Sequence, residues 1–189
     1  MRASGGQTMT TPSRINAILV DREQNIWVAS NASGLLQYRA SPARLLGRPE
    51  RLAGDNAYPV LALADGSIWA ATLDGGLQHL RGTDPGEWQR PRLPFTTVLS
   101  LLASRDGSLW VGGDGVCMLA SGECSQHGLP AALQTQTLTR AMFEDAASRL
   151  WIGTIWGLWV REQGIFRMLD ATHGTRPGRS ARAFIETAE

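Results

Sequence analysis

Four tryptophans recur along the chain at a nearly constant interval. Trp27, Trp69, Trp110 and Trp151 are separated by 42, 41 and 41 residues, and their surroundings, "NIWVASNASGLLQY", "SIWAATLDGGLQHL", "SLWVGGDGVCML" and "RLWIGTIWGLWV", share one pattern. A fixed period of this size means that one supersecondary unit is built repeatedly. A sandwich would not need so constant a period.

Each unit opens with an apolar run, "INAILVD", "YPVLALAD", "VLSLLAS" or "RAMFED". A short polar turn follows: "REQN", "GS", "RDGS" and "AASR". Gly66 and Gly107 suit a tight hairpin because glycine tolerates positive φ. The Trp strand comes next, then a second turn ending in Gly34-Leu35, Gly76-Leu77, Gly115-Val116 or Gly157-Leu158, which opens a third strand. A fourth strand falls at Glu87 to Gln89, Glu123-Cys124 and Gly164 to Arg167, and is poorly marked in the first unit. The apolar runs are short, rich in Val, Ile, Leu and Trp, and bounded by Gly and Asp, which favours strands over helices. Runs such as "LWV" and "LWI" are apolar on both faces, as expected for a sheet covered on each side by a neighbour.

Four antiparallel strands in about 41 residues is the size of a propeller blade. The fold class expected is therefore all-β, a β-propeller of four blades plus the first strand of a fifth. The blades fall at about 15–57, 58–97, 98–139 and 140–181, after a polar segment 1–14. "RAFIETAE", Arg182 to Glu189, aligns with "RAMFEDAA", Arg140 to Ala147, at an offset of 42 and starts the fifth unit, 182–189. Four blades and a fraction form an incomplete ring, which leaves an edge to be covered. The chain then reads as a fragment of a longer receptor, or as one half of a homodimer that completes the ring.

The unit "FEDAASRLWIGTIWGL", with the weaker copies "LVDREQNIWVASNASGL" and "LLASRDGSLWVGGDGV", resembles the two-component regulator propeller repeat. The resemblance covers about Ile15 to Arg167, and "HGLP" at His127 to Pro130 fits the family's inter-blade connection. Departures are Ala103-Ser104 in place of Glu-Asp, a first turn shortened by two at Asp65, and Gly113 where Thr154 stands in the fourth copy. The resemblance implies a sensory propeller of a bacterial membrane receptor, typically periplasmic, that relays to a separate histidine kinase or diguanylate cyclase. No kinase or cyclase module is present in this chain.

Composition closes off other classes. A net charge of +1 gives no footprint for a nucleic-acid partner. No run approaches the roughly 20 apolar residues of a membrane span. "MRASGGQTMTTPSR" lacks the apolar core of a secretory signal, so the chain is cytoplasmic unless its true N-terminus lies upstream. All 18 basic residues are arginine, read as codon bias rather than anion chemistry.

No catalytic, cofactor or metal constellation emerges. "VGGDGV" mimics a diguanylate cyclase motif but lacks the Glu-Phe that follows it, and it matches no dinucleotide fingerprint. His79, His127 and His173 have no arrangement that would bring them to carboxylates. Asp21, Asp65, Asp106 and Asp145 fall at the first turn of each unit, where a short carboxylate accepts backbone N–H bonds. Cys117 and Cys124 flank "MLASGE", and stand either as a cross-strand disulfide in an oxidising compartment or as two buried thiols. The arginine-rich tail is a solvated edge. Trp151 belongs to the repeated core, whereas Trp156 occupies a turn where other units carry Ser33, Gly75 or Asp114. Trp156 is the binding candidate. Two functions follow: a non-enzymatic module that binds a ligand or partner, or a propeller enzyme of the streptogramin-lyase type, which would require a histidine, carboxylates and a metal.

Overall fold

The computed structural model describes residues 14–31, 34–38, 44–81, 88–169 and 180–187. It contains two compact units, Met1–Pro91 and Arg92–Glu189. The first holds a four-stranded sheet, β1 (Ile15–Val20), β2 (Ile26–Ser30), β3 (Gly34–Tyr38) and β4 (Arg44–Leu46), and a three-stranded one, β5 (Ala57–Ala62), β6 (Ile68–Thr72) and β7 (Gly76–Leu80). The second holds β8 (Val98–Ala103), β9 (Leu109–Gly113), β10 (Val116–Ala120) and β11 (Glu123–Ser125), then a helical turn α1 (Ala131–Gln134). It continues with β12 (Ala141–Glu144), β13 (Leu150–Gly153), β14 (Leu158–Glu162) and β15 (Ile165–Leu169). Strands pair antiparallel in chain order within every sheet, so each period is one up-and-down blade of an all-β propeller fold.

The fourth strands differ from expectation in the first two blades. The first blade has one, Arg44–Leu46, where the sequence marks it poorly. In the second blade the expected strand reduces to an isolated bridge between His79 and Gln89, and Glu87 lies outside the described residues.

Side chains alternate between the faces of each sheet, and both faces are apolar because blades stack. In the first unit Trp27, Ala29, Leu35 and Leu46 of one blade pack with Ala57, Ile68, Ala70 and Leu80 of the next. In the second, Trp110, Val116, Leu129 and Leu133 pack with Leu150 and Ile152. Each fully buried Val, Leu or Ile side chain among these stabilises by about 1.5 to 3 kcal/mol relative to exposure.

The first turn has one length in all four blades, which corrects the expected shortening at Asp65. The backbone N–H of Asp21, Leu63, Ser104 and Asp145 donates to the carbonyl four residues on, at 3.0, 2.9, 2.8 and 3.1 Å. The fourth turn residue has positive φ throughout: Gln24 63°, Gly66 81°, Gly107 86° and Ser148 60°. Only the aspartate moves, from the first turn position in blades one and four to the third in blades two and three.

Residues 180–187 form no strand, but they lie in register with a first strand. Phe184 stacks on Phe143 at 6.2 Å between centroids, and the Ala146 N–H donates to Glu186 Oε1 at 2.9 Å. The same turn in blade three donates its Arg105 N–H to Glu144 Oε2 at 2.7 Å. Glu186 lies 42 residues after Glu144, so the tail makes the contact that opens a fifth unit. One segment covers less than a sheet does. Trp151 is accordingly only half-buried, whereas Trp27, Trp69 and Trp110 are buried.

Candidate functional site

The connection from β13 to β14 carries the sequence-derived candidate. Thr154 organises it: its Oγ1 accepts from the N–H groups of Trp156 and Gly157 at 3.2 and 3.1 Å and donates to Gly157 O at 2.9 Å. Gly157 has a φ of 151°, and a Cβ there would come within 2.8 Å of the Met168 methyl. The neighbouring loop is stitched to both adjacent turns, with Thr137 N donating to Asp114 O at 2.9 Å and Ile155 N donating to Thr137 O at 3.0 Å. Thr137 and Thr139 are buried and share a hydroxyl bond of 2.9 Å.

On this braced platform Trp156 is 58% exposed. Its Nε1 donates to Gln136 O at 2.8 Å, which fixes one edge of the indole. The ring therefore offers an apolar face with little remaining rotamer freedom, and its donor is already committed. Such a group contributes stacking and desolvation rather than directional polar recognition.

A second concavity lies at the opposite ends of the same strands. A cleft of about 260 Å³ is lined by Ser104, Arg105, Asp106, Glu144, Ser148, Leu150 and Arg161. Arg161 sits over the rings of Trp110 and Phe166 at 5.6 and 5.8 Å. Hydrogen bonds from Ser108, then the Arg161 charge, hold Asp106 below the usual carboxylate range. With Arg105 donating to Ala146 O and Ser148 Oγ, the lining polar groups largely serve one another.

The turn aspartates accept backbone N–H bonds as expected: Asp21 from Asn25, Asp65 from Ser67, Asp106 from Ser108 and Asp145 from Arg149, at 2.8 to 2.9 Å. Sequence reasoning missed their second role. Asp21 Oδ2 also accepts from Trp27 Nε1 at 2.7 Å, and Asp145 Oδ2 from Trp151 Nε1 at 2.8 Å. Burial acts to raise both carboxyls, but the bonds from the tryptophan and the turn outweigh it and hold them low. The sixth-residue spacing from Asp to Trp was the available signal. In blade two Leu63 takes that position, and the buried Trp69 Nε1 has no partner.

His79 is the cross-strand neighbour of Trp69 and stacks on it, with centroids 4.0 Å apart and planes 9° from parallel. Its buried Nε2 has no partner, and burial, reinforced by the Arg81 charge and opposed by Asp65, pushes its pKa down. His127 lies in an exposed turn, and His173 lies outside the described residues. Among the described residues no three His, Cys, Asp or Glu side chains converge as metal ligands.

Cys117 and Cys124 form a disulfide, with Cα atoms 5.5 Å apart. Ser121 and Gly122, both with positive φ, turn the hairpin from β10 to β11 so tightly that Leu119 faces Cys124 and Cys117 reaches it diagonally.

No family model and no curated protein matches this sequence. Solved structures do match in fold. The extracellular domain assigned to the hybrid two-component system BT3049 of B. thetaiotaomicron has a TM-score of 0.69 at 18% identity, over 88% of this chain and 25% of that one. A corresponding BT4673 domain from the same organism has 0.57 at 20%, over 89% and 29%. Virginiamycin B lyase from Staphylococcus aureus has 0.66 at 14%, over 85% and 57%. The chain thus spans about a quarter of the sensor domains and little over half of the lyase. By fold it is a set of β-propeller blades of the kind found in extracellular domains of hybrid two-component systems and in streptogramin lyases.

Proposed function

We propose that this chain is a non-enzymatic sensory module of a two-component-type receptor, which binds a ligand or protein partner through its blade-connecting loops and relays to a separate kinase or cyclase. The observation that carries the reading is the agreement of the repeat pattern with the fold of two-component extracellular domains. Trp156 is the binding residue we assign, because it is exposed, braced and unique to its copy of the repeat. The Cys117 to Cys124 disulfide supports a periplasmic setting, since such bonds persist in oxidising compartments.

Reading the gene on both sides of this segment tests the proposal. A membrane span and a kinase or cyclase domain in the same frame are expected, and a frame encoding neither refutes it. In the complete receptor, Trp156→Ala is expected to abolish the response to its stimulus while leaving folding intact.

The lyase reading is supported by the likeness to virginiamycin B lyase, whose quinupristin-bound form is a catalytically inactive His→Ala variant. Here the described histidines stand away from any converging carboxylate set. Incubation with quinupristin and a divalent metal is expected to leave the substrate intact, and turnover would reverse the assignment.

A further inference from the structure

The junction between blades one and two shows how the repeat normally fills the space between two blades. Ile68 and Leu150 open the second strands of blades two and four, and each is buried in a cluster with the preceding blade's tryptophan, Trp27 or Trp110. The cross-strand partners of Ile68 are Ala62 and Leu80, and both pack into the same cluster. The cross-strand partners of Leu150 are Glu144 and Arg161. Two apolar residues of one junction are thus a carboxylate and a guanidinium in the other, and the cleft of about 260 Å³ opens among them. Both of its walls are four-stranded blades within one compact unit.

Packing alone does not call for this exchange. A charged head group at a packing position forfeits apolar contact and loses hydration, and departures of this kind from a local pattern concentrate at functional sites. The Arg161 guanidinium rests over the rings of Trp110 and Phe166, at 5.6 and 5.8 Å from their centroids. Ring faces fix the cation without consuming its N–H donors. Among the described residues no hydrogen bond or ion pair engages those donors, although the Arg161 charge acts on Asp106. Arg105, by contrast, is committed to Ala146 O and Ser148 Oγ. Asp106 and Glu144, on the same lining, accept backbone N–H bonds from Ser108 and Arg105 and keep acceptor capacity for more. The cleft therefore presents an uncommitted cation and partly committed carboxylates together.

We propose that this cleft binds a free amino acid in its zwitterionic form, with the carboxylate on the Arg161 guanidinium and the ammonium on Asp106 and Glu144. The planar guanidinium offers the two-pronged donor that a carboxylate fits. A lone anion meets the two carboxylates and a lone cation meets Arg161, whereas a zwitterion satisfies both. The volume falls below the range of about 300 to 1,000 Å³ usual for larger ligands, which suits an amino acid better than a peptide. The site is separate from Trp156, which lies at the opposite ends of the same strands.

The test is calorimetric titration of the purified chain with a panel of free L-amino acids, each beside its amide, which lacks the carboxylate, and its N-acetyl derivative, which lacks the ammonium. Saturable binding of at least one free amino acid is expected, with neither derivative binding. Arg161→Leu restores the kind of residue that Leu80 provides at the other junction, so it is expected to fold with an unchanged or higher urea midpoint and to lose binding. Arg161→Lys keeps the charge but not the fork, and is expected to weaken binding at least about tenfold, the equivalent of one charge-assisted hydrogen bond. A panel in which no amino acid binds at millimolar concentration overturns the proposal. So does equal binding of the amide or the N-acetyl derivative, or undiminished binding by Arg161→Leu. The site rests on blades three and four alone, so its failure leaves the receptor assignment and Trp156 standing.

Discussion

Replacing Asp145 by alanine separates two aspartates that look equivalent in the repeat. Asp145 is 5% exposed, and its carboxylate accepts from Arg149 N at 2.9 Å, Arg149 Nε at 2.7 Å and Trp151 Nε1 at 2.8 Å. Arg149 is partly exposed and re-solvates when its partner is lost, so that ion pair counts for at most about 1 kcal/mol. The turn N–H and the indole N–H lose a charged acceptor in a site that water reaches poorly, at about 1 kcal/mol each or somewhat more. The sum is a loss of about 2 to 3 kcal/mol. Asp106 is exposed and accepts from the Ser108 N–H at 2.9 Å, so Asp106→Ala is expected to cost about 0.5 to 1 kcal/mol. Urea unfolding followed by tryptophan fluorescence measures both. Equal losses within about 0.5 kcal/mol would refute the inference that the Asp–Trp bond, rather than turn chemistry, makes the difference. The pH dependence gives an internal check. The Asp145 carboxyl is held below its ordinary value of 3.8 in the folded state, so its contribution is complete above that pH and is lost as pH falls through the lower folded value. The gap between wild type and Asp145→Ala should close over that acid range.

Leu63→Asp places the acceptor of blades one and four beneath the orphaned Trp69 Nε1, and is expected to raise stability by up to about 1 kcal/mol in the same urea assay. Serine at both Cys117 and Cys124 opens an eight-residue loop and is expected to lower stability by about 2.5 kcal/mol, visible as the difference between oxidised wild type and variant in guanidinium unfolding. His79 is neutral in the fold because burial lowers its pKa from 6.5, so stability is expected to fall as pH drops below 6.5 toward the folded value. His79→Gln should remove that dependence, together with any acid quenching of the Trp69 fluorescence that stacking produces.

The period of the tryptophans made the blades legible because each repeat must solve the same packing problem. Strand starts at Ile15 and Val98, and within one residue of Tyr58 and Arg140, follow from apolar runs that have no other place to go. The fourth strands were harder to read because they lie at the rim, where few buried side chains mark them. The spelling of the first turn of blade two misleads: "ADGS" carries its aspartate at the third place, yet the backbone bond from Leu63 N to Ser67 O fixes the same length as elsewhere. For the candidate site, an unshared tryptophan in a turn pointed to Trp156, but its brace through Gln136 O depends on a loop 20 residues away in sequence. The disulfide depends on the hairpin register, which spacing alone does not fix, since Cys117 and Cys124 are diagonal rather than opposed.

The turn that closes each first hairpin also reaches forward to the next repeat. Arg22 Nη1 donates to Ala64 O at 2.7 Å, Arg105 Nη1 to Ala146 O at 3.3 Å, and Ala146 N to Glu186. These are bonds between units one period apart, made at one recurring place. Within each compact unit they couple neighbouring repeats, so that a strained or ligand-locked turn biases the adjoining repeat first. Locking one first turn should therefore change hydrogen exchange at the turn one period on in the same unit, from blade one to blade two and from blade three to blade four.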